Sequence, residues 1–255
     1  MKITTVYFSA TNTTKKIITS IAQGMEAEVH QLDITSHPIS EKLVIPKEEL
    51  LLVGMPVYGG RIPSVAVASL QQLRGEHTAV ILVAVYGNRD YEDALVEMQD
   101  IFESNGFFVL AAGAFIAQHS VFPHTAKGRP DALDIQKTKD FAKLCRNKAQ
   151  QRGAAENKSV ALPGNRPYKI PGNIPLKVIT NEKCTECGAC IRVCPVGAIP
   201  LDNPHATDYD KCIHCGRCIF VCSTHARGYT GMLYNMVGKL FGWKNRKRKE
   251  PEFFI

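Results

Sequence analysis

Two short stretches decide most of what this chain can fold into: CTECGACIRVC from Cys184 and CIHCGRCIFVC from Cys212, each spaced C-x2-C-x2-C-x3-C. Between them they hold eight of the nine cysteines. In such a run the first three thiolates reach three corners of one [4Fe-4S] cubane, and the fourth, carried off on a short helical turn, ligates a second cluster. On this pattern Cys184, Cys187, Cys190 and Cys222 hold one cluster, and Cys212, Cys215, Cys218 and Cys194 hold the other. Zinc is the alternative occupant of clustered cysteines, but it takes four ligands in two separated pairs rather than two runs of four. Thiols crowded in this way favour metal ligation in a reducing compartment over disulfides.

The stretch from Ile179 to Gly228 resembles the bacterial two-cluster ferredoxins, with all eight ligands at the family spacing. Cys194 is followed by Pro195, as in that family, whereas Cys222 is followed by Ser223, a departure that alters the local turn without removing a ligand. Gly188 and Gly216 follow the second cysteine of each run, where a small residue lets the backbone wrap close to the inorganic core. Ile191, Val193, Ile199, Ile213, Ile219 and Val221 supply a small apolar core and a dry shell around the clusters. A module this short has little hydrophobic area of its own, so the clusters are expected to be its main staples.

The other two thirds of the chain alternates strand and helix patterns, as a parallel sheet covered on both faces does. Strands are expected at Lys2 to Phe8, Glu28 to Asp33, Glu49 to Met55, Ala79 to Tyr86 and Phe107 to Ala114. Helices are expected at Thr13 to Met25, Ser64 to Leu73, Tyr91 to Ser104 and Ala132 to Arg152. The fold class is therefore α/β, a doubly wound parallel five-stranded sheet with a second, smaller α+β domain. Ligands of such sheets bind in loops at the carboxyl ends of the strands.

Three of those loops carry candidate binding residues. Ser9 to Thr14, SATNTT, opens the first helix with hydroxyls and backbone N–H groups and no acidic residue, which makes either an anion site or simple helix capping. MPVYGGRIP follows the third strand, where Pro56, Val57 and the Tyr58 ring precede Gly59 and Gly60. Tyr86, Gly87 and Asn88 end the fourth strand, with Asp90 placed to cap the next helix. Together these loops resemble the flavodoxin-like domain over Met1 to Arg152, a family that binds FMN through a T/S-x-T-G-x-T phosphate loop. Ser9, Thr11, Thr13 and Thr14 fit that pattern, and Asn12 stands where glycine is usual; after glycine, Asn best tolerates left-handed dihedrals. The resemblance implies that Tyr58 through Arg61 and Tyr86 through Asn88 flank the isoalloxazine. No G-x-G-x-x-G is present to bind a nicotinamide dinucleotide.

In this order the two modules are similar to the flavodoxin-ferredoxin fusion proteins of anaerobic bacteria and archaea. The division read from the sequence is a flavodoxin-like FMN-binding domain over residues 1–152, a Pro/Gly-rich linker over 153–175 with the boundary near Asn173, a two-[4Fe-4S] ferredoxin domain over 176–228, and a basic amphipathic tail over 229–255. The linker reads as a semi-rigid strap or, alternatively, a flexible tether. The N-terminus lacks the apolar core of a signal peptide and no stretch reaches the roughly 20 apolar residues of a span, so a cytoplasmic location is expected.

The net charge of +7 suits redox partner proteins that are acidic; Arg192 and Arg217 beside the clusters would suit them too, although plain surface exposure is the first expectation for each. The tail carries Lys239, Lys244, Arg246, Lys247, Arg248 and Lys249 against Glu250 and Glu252. Met232, Leu233, Met236, Val237, Leu240, Phe241 and Trp243 fall at largely helical spacing. The main expectation for this tail is a helix packing back on the flavin domain; an interfacial membrane helix and a docking surface for an acidic partner are the alternatives. No nucleic-acid reading motif is present, so nucleic acid is not an expected partner. Cys145 reads as a packed thiol. The sequence leaves two function classes open: a carrier passing single electrons between clusters, FMN and external partners, or a cluster-fed FMN-dependent reductase of a small molecule. No separate set of acid, base and substrate-binding residues stands out, which favours the carrier.

Overall fold

The computed structural model describes residues 1–151, 158–172 and 175–255, so the expected boundary at Asn173 and the helix end at Arg152 lie outside the described residues. The long strands are β1 (Lys2–Tyr7), β2 (Glu28–Asp33), β4 (Leu50–Pro56), β6 (Thr78–Tyr86) and β7 (Phe107–Ile116). They pair in parallel in the order β2-β1-β4-β6-β7. Counted among themselves this is the 2-1-3-4-5 order of the flavodoxin-like doubly wound sheet.

Alternation along the strands fills two cores. Val6, Val53, Val80 and Leu82 face one side, where helices α2 (Ser64–Leu70) and α3 (Ala94–Ser104) contribute Leu70, Leu95 and Phe102. Ile3, Leu52, Ile81 and Val83 face the other, against Ile17 and Ile21 of α1 (Thr13–Gly24) and Phe141 of α4 (Ala132–Gln151). Cys145 is fully buried in this second core, as expected of a packed thiol.

Outside the cysteine-rich module, three short strands were not expected from the sequence. β3 (Leu43–Ile45) and β5 (Leu73–Gly75) pair in a separate parallel ladder. β10 (Glu252–Phe254) joins the main sheet antiparallel to β7, making six strands, and seats Phe253 against Phe115 and Phe141 at centroid distances of 5.7 and 5.0 Å. Helix α3 begins three residues later than expected, because Asp90 accepts the Glu92 N–H in a turn of its own.

The described linker residues 158–172 run along α3. Val160 donates its N–H to Val109, Asp93 accepts the N–H groups of Asn165 and Lys169, and Arg166 and Tyr168 both reach Asp100. The cysteine-rich module is closed by an antiparallel pair, β8 (Val178–Thr180) with β9 (Arg227–Tyr229), and holds two short helices, α5 (Ala189–Val193) and α6 (Arg217–Phe220). Helix α7 (Met232–Lys244) then packs Tyr234, Val237 and Phe241 on Val121, Phe122 and Tyr229, at the junction of the two modules.

Candidate functional site

The cleft at the carboxyl end of the sheet is built by the loops after β1, β4, β6 and β7. Thr11, Thr13, Thr14, Pro56, Val57, Tyr58, Gly59, Tyr86 and Gly87 line it. A hollow of about 120 Å³ adjoins a wider one of about 450 Å³ that is lined by Asn12 and Lys16 and shares Thr11, Thr13, His119 and Ser120 with the first.

Asn12 sits in the left-handed region at φ 61°, the conformation that the substitution for glycine has to supply, and immediately precedes α1. The Ser9 hydroxyl accepts the Lys15 N–H and the Ser9 N–H donates to Thr35, so Ser9 shapes the loop from beneath rather than facing the cleft. With no acidic residue in its first turn, α1 presents its N-terminal N–H groups with the Thr11 and Thr13 hydroxyls, a donor set that fits a phosphate.

The second loop is a tight hairpin in which Tyr58 and Arg61 exchange both backbone hydrogen bonds, at 2.8 and 3.2 Å. Its two central residues, Gly59 and Gly60, have φ of 62° and 93°, values a two-residue hairpin of this type requires. A Cβ on Gly59 would press on Pro171 of the linker, and one on Gly60 would overlap the Glu92 carboxylate. Gly60 therefore serves the Glu92 contact and does not line the cleft. Arg61 turns away to pair with Glu97 at 2.7 Å.

Asn88 and Tyr86 have tasks the sequence did not disclose. The Asn88 amide donates to the carbonyls of Asn245 and Lys247 and accepts the Lys249 N–H, so this side chain fastens the C-terminal segment. The Tyr86 ring packs edge-on against Tyr91 at 5.4 Å, and its buried hydroxyl has no hydrogen-bond partner among the described residues.

Residues outside the three loops read as binding loops complete the cleft. Nδ1 of His119 accepts the N–H groups of Val121 and Phe122 at 3.2 and 3.1 Å, which fixes its proton on Nε2. Burial, with the Arg89 charge adding to it, lowers the His119 imidazole to about 4, so it is neutral near pH 7. Ile213 and His214 of the second cysteine run also line the cleft. The cysteine-rich module thus forms one of its walls. Gly216 lies against Ser120 and Thr11, and Arg217 donates to Ser36 at 2.7 Å, which commits Arg217 to the contact between modules instead of an external partner. Arg192 is turned inward in part, onto the Cys187 carbonyl at 3.0 Å.

The two cysteine runs repeat one backbone design. Glu186 and Gly188 in the first, and His214 and Gly216 in the second, all have positive φ. The fourth cysteine of each run accepts an N–H bond from the residue four positions on, Ala198 to Cys194 and Ala226 to Cys222, both at 3.2 Å. Burial pushes the Cys215 thiol up to about 12, and Cys218, Cys194 and Cys212 push it the same way. Cys194, from the first run, is therefore gathered with the three leading cysteines of the second. Thiols that disfavour one another's ionisation form a site that a cationic iron-sulfur core would stabilise. Among the described residues, no three His, Cys, Asp or Glu side chains are placed to hold a single metal ion.

Arg227 is buried between the two sets. Its guanidinium lies 3.9 Å from the Cys190 sulfur, donates to the Pro204 carbonyl and the Thr207 hydroxyl, and also bears on the Cys218 and Cys212 thiols. Nothing in the ligand spacing marks this residue.

The fold and the cysteine runs define a class: an electron-transfer protein with an iron-sulfur module set against a flavodoxin-like sheet. Residues 183–226 match the 4Fe-4S dicluster domain family, and with the flavodoxin-like strand order this supports a flavodoxin-ferredoxin fusion. Among solved structures the chain is similar to a flavodoxin from the domain Archaea, with 18% identity over 59% of this chain and 100% of that one at a TM-score of 0.42. The Streptococcus pneumonia flavodoxin gives 17% over 58% and 99% at 0.43. A Fusobacterium nucleatum flavodoxin bound to flavin mononucleotide gives 12% over 58% and 98% at 0.39. No curated protein matches the chain. Among the described residues no helix is long and apolar enough to cross a membrane.

Proposed function

We propose that this protein is an electron carrier that binds FMN in the cleft and two [4Fe-4S] clusters on its eight runs-borne cysteines, and exchanges single electrons with external redox proteins. The observation that carries the proposal is the shared wall: Ile213 and His214, the two residues between Cys212 and Cys215, line the same hollow as Thr11, Tyr58 and Gly87. When bound, the flavin supplies one- and two-electron exchange and each cubane one-electron exchange.

The chain's own residues prepare that exchange in stated ways. Thr11, Thr13 and the first turn of α1 offer donors to a phosphate, and Tyr58 and Gly59 border the hollow where a ring would lie. The neutral His119 holds a proton on Nε2 at the junction of the two hollows. Cys194, Cys212, Cys215 and Cys218 would hold the cluster nearer the flavin, and Cys184, Cys187, Cys190 and Cys222 the farther one. The linker's bonds to Asp93 and Asp100 tie the strap between the modules to the sheet domain.

The test uses anaerobically purified holoprotein and separates a carrier from a reductase. A carrier passes electrons to ferredoxin- or flavodoxin-accepting proteins and shows no saturable turnover with small molecules. Saturable reduction of a defined small molecule, lost on Tyr58→Ala with iron content intact, would replace the carrier reading with a reductase.

A further inference from the structure

Helix α7 presents a second apolar face that none of the described residues covers. Its inner face is spent on the module junction through Tyr234, Val237 and Phe241. On the outside Met232 is 87% exposed, Met236 63%, Leu240 52% and Trp243 62%, with Leu233 beside them. At 3.6 residues per turn these five side chains fall within an arc of about 100°. Lys239 and Lys244 border that arc on either side. Scattered apolar residues on a surface need no explanation, but a contiguous stripe of this kind marks an interaction site.

The charge around the stripe selects the occupant. From Gly231 to Lys249 the chain has six basic residues and no acidic one. Arg248 is paired with Asp131 and Glu250, and Lys249 is held on the Arg89 carbonyl. Lys239, Lys244, Arg246 and Lys247 remain exposed beside the stripe, with Arg246 stacked over Trp243 at 5.0 Å. Met, Leu and Trp on one strip, with lysines at its edges able to reach outward, is the composition of a helix lying in a lipid-water interface next to anionic headgroups. Its 13 residues are about 20 Å long, short of the roughly 30 Å hydrocarbon core, so such a helix lies on a bilayer and does not span it.

We infer that α7 seats this protein on an anionic lipid surface, with Met232, Met236, Leu240 and Trp243 entering the interface. Because Cys218 and Ile219 pack in the same apolar cluster as the inner face of α7, the seated protein holds the Cys218 end of its cysteine module about one helix diameter, roughly 10 Å, from the lipid. The inference is independent of flavin binding.

Trp243 is the single tryptophan of the chain and reports on the stripe directly. Anaerobic holoprotein is mixed with phosphatidylcholine vesicles with and without phosphatidylglycerol, and followed by co-sedimentation and Trp243 emission. The expected result is co-sedimentation and a blue shift with the anionic vesicles, weakening as salt rises. Met236→Glu with Leu240→Glu should lower the bound fraction at least tenfold, and Lys239→Ala with Lys244→Ala should remove the preference for anionic lipid. These side chains are exposed, and unchanged iron content shows that each variant is folded. Absence of binding, or equal binding by the Glu variant, overturns the inference. A Trp243 shift that follows protein concentration without lipid assigns the face to a second copy of the chain, and a shift seen only with an acidic protein assigns it to such a partner; either result also overturns it.

Discussion

Tyr58 and Cys215, from opposite ends of the chain, pack in one apolar cluster, and the Cys215 thiol helps burial to push the Tyr58 phenol well above its usual pKa. Tyr58 borders the cleft proposed for FMN, and Cys215 belongs to the thiol set proposed for the nearer cluster. The cluster therefore links the two proposed sites without passing through the linker.

The phosphate end of the cleft rests on the acid-free first turn of α1. Thr11→Asp places a carboxylate there and should weaken FMN binding at least tenfold, about 1.4 kcal/mol. Flavin fluorescence titration checks this. Riboflavin binding as tightly as FMN would contradict the assigned phosphate loop.

Interlocked ligation has a signature that no sequence-local scheme shares. The intact protein should carry about eight iron and eight labile sulfide per chain. Cys194→Ser should damage the cluster of Cys212, Cys215 and Cys218 and spare the one whose ligands lie beside it in sequence. Electron paramagnetic resonance of the reduced variant, with iron analysis, distinguishes the two outcomes.

Arg227 places a buried cation between the thiol sets, where it would favour the more reduced, more negative form of each proposed cluster. Arg227→Met should move both cluster potentials to more negative values. It should also cost about 1–3 kcal/mol of stability, since Pro204 and Thr207 lose their donor. Potentials that stay unchanged would leave Arg227 a purely structural residue.

His119 makes stability depend on pH in a definite direction. Burial lowers its imidazole to about 4 from an ordinary 6.5, so the unfolded chain binds the proton more readily than the folded one. Its contribution is present above pH 6.5 and fades as pH falls toward 4, amounting to about 1 kcal/mol lost at pH 5.5. Anaerobic denaturation at pH 7.5 and 5.5 should show a smaller difference between the two pH values for His119→Gln than for the unaltered chain. Equal differences would contradict it.

What the sequence disclosed, and what it did not, follows from how each feature is encoded. The five long strands and four main helices are carried by periodic apolar runs, and their ends were placed within about three residues. β3, β5 and β10 are three residues each, too short for a period to register, and Phe253 and Phe254 become a strand only because the β7 edge is open to them. The cysteine ligand sets were legible because spacing alone implies them. Gly60 and Asn88 were assigned to the flavin by the loop pattern, yet their space and hydrogen bonds go to Glu92 and to the C-terminal segment, partners distant in sequence. His119, Ile213 and His214 enter the cleft only through tertiary packing, and the buried position of Arg227 is likewise a product of the fold.

The most direct test is flash reduction of one centre in the holoprotein at several protein concentrations, following absorbance of the flavin and of the clusters separately. With Tyr58 and Cys215 in one packed cluster, the proposal predicts that electrons redistribute between the flavin and the clusters within a single molecule, at a rate independent of concentration. A redistribution rate that rises in proportion to protein concentration would show that the centres meet only between molecules, and the internal route would be wrong.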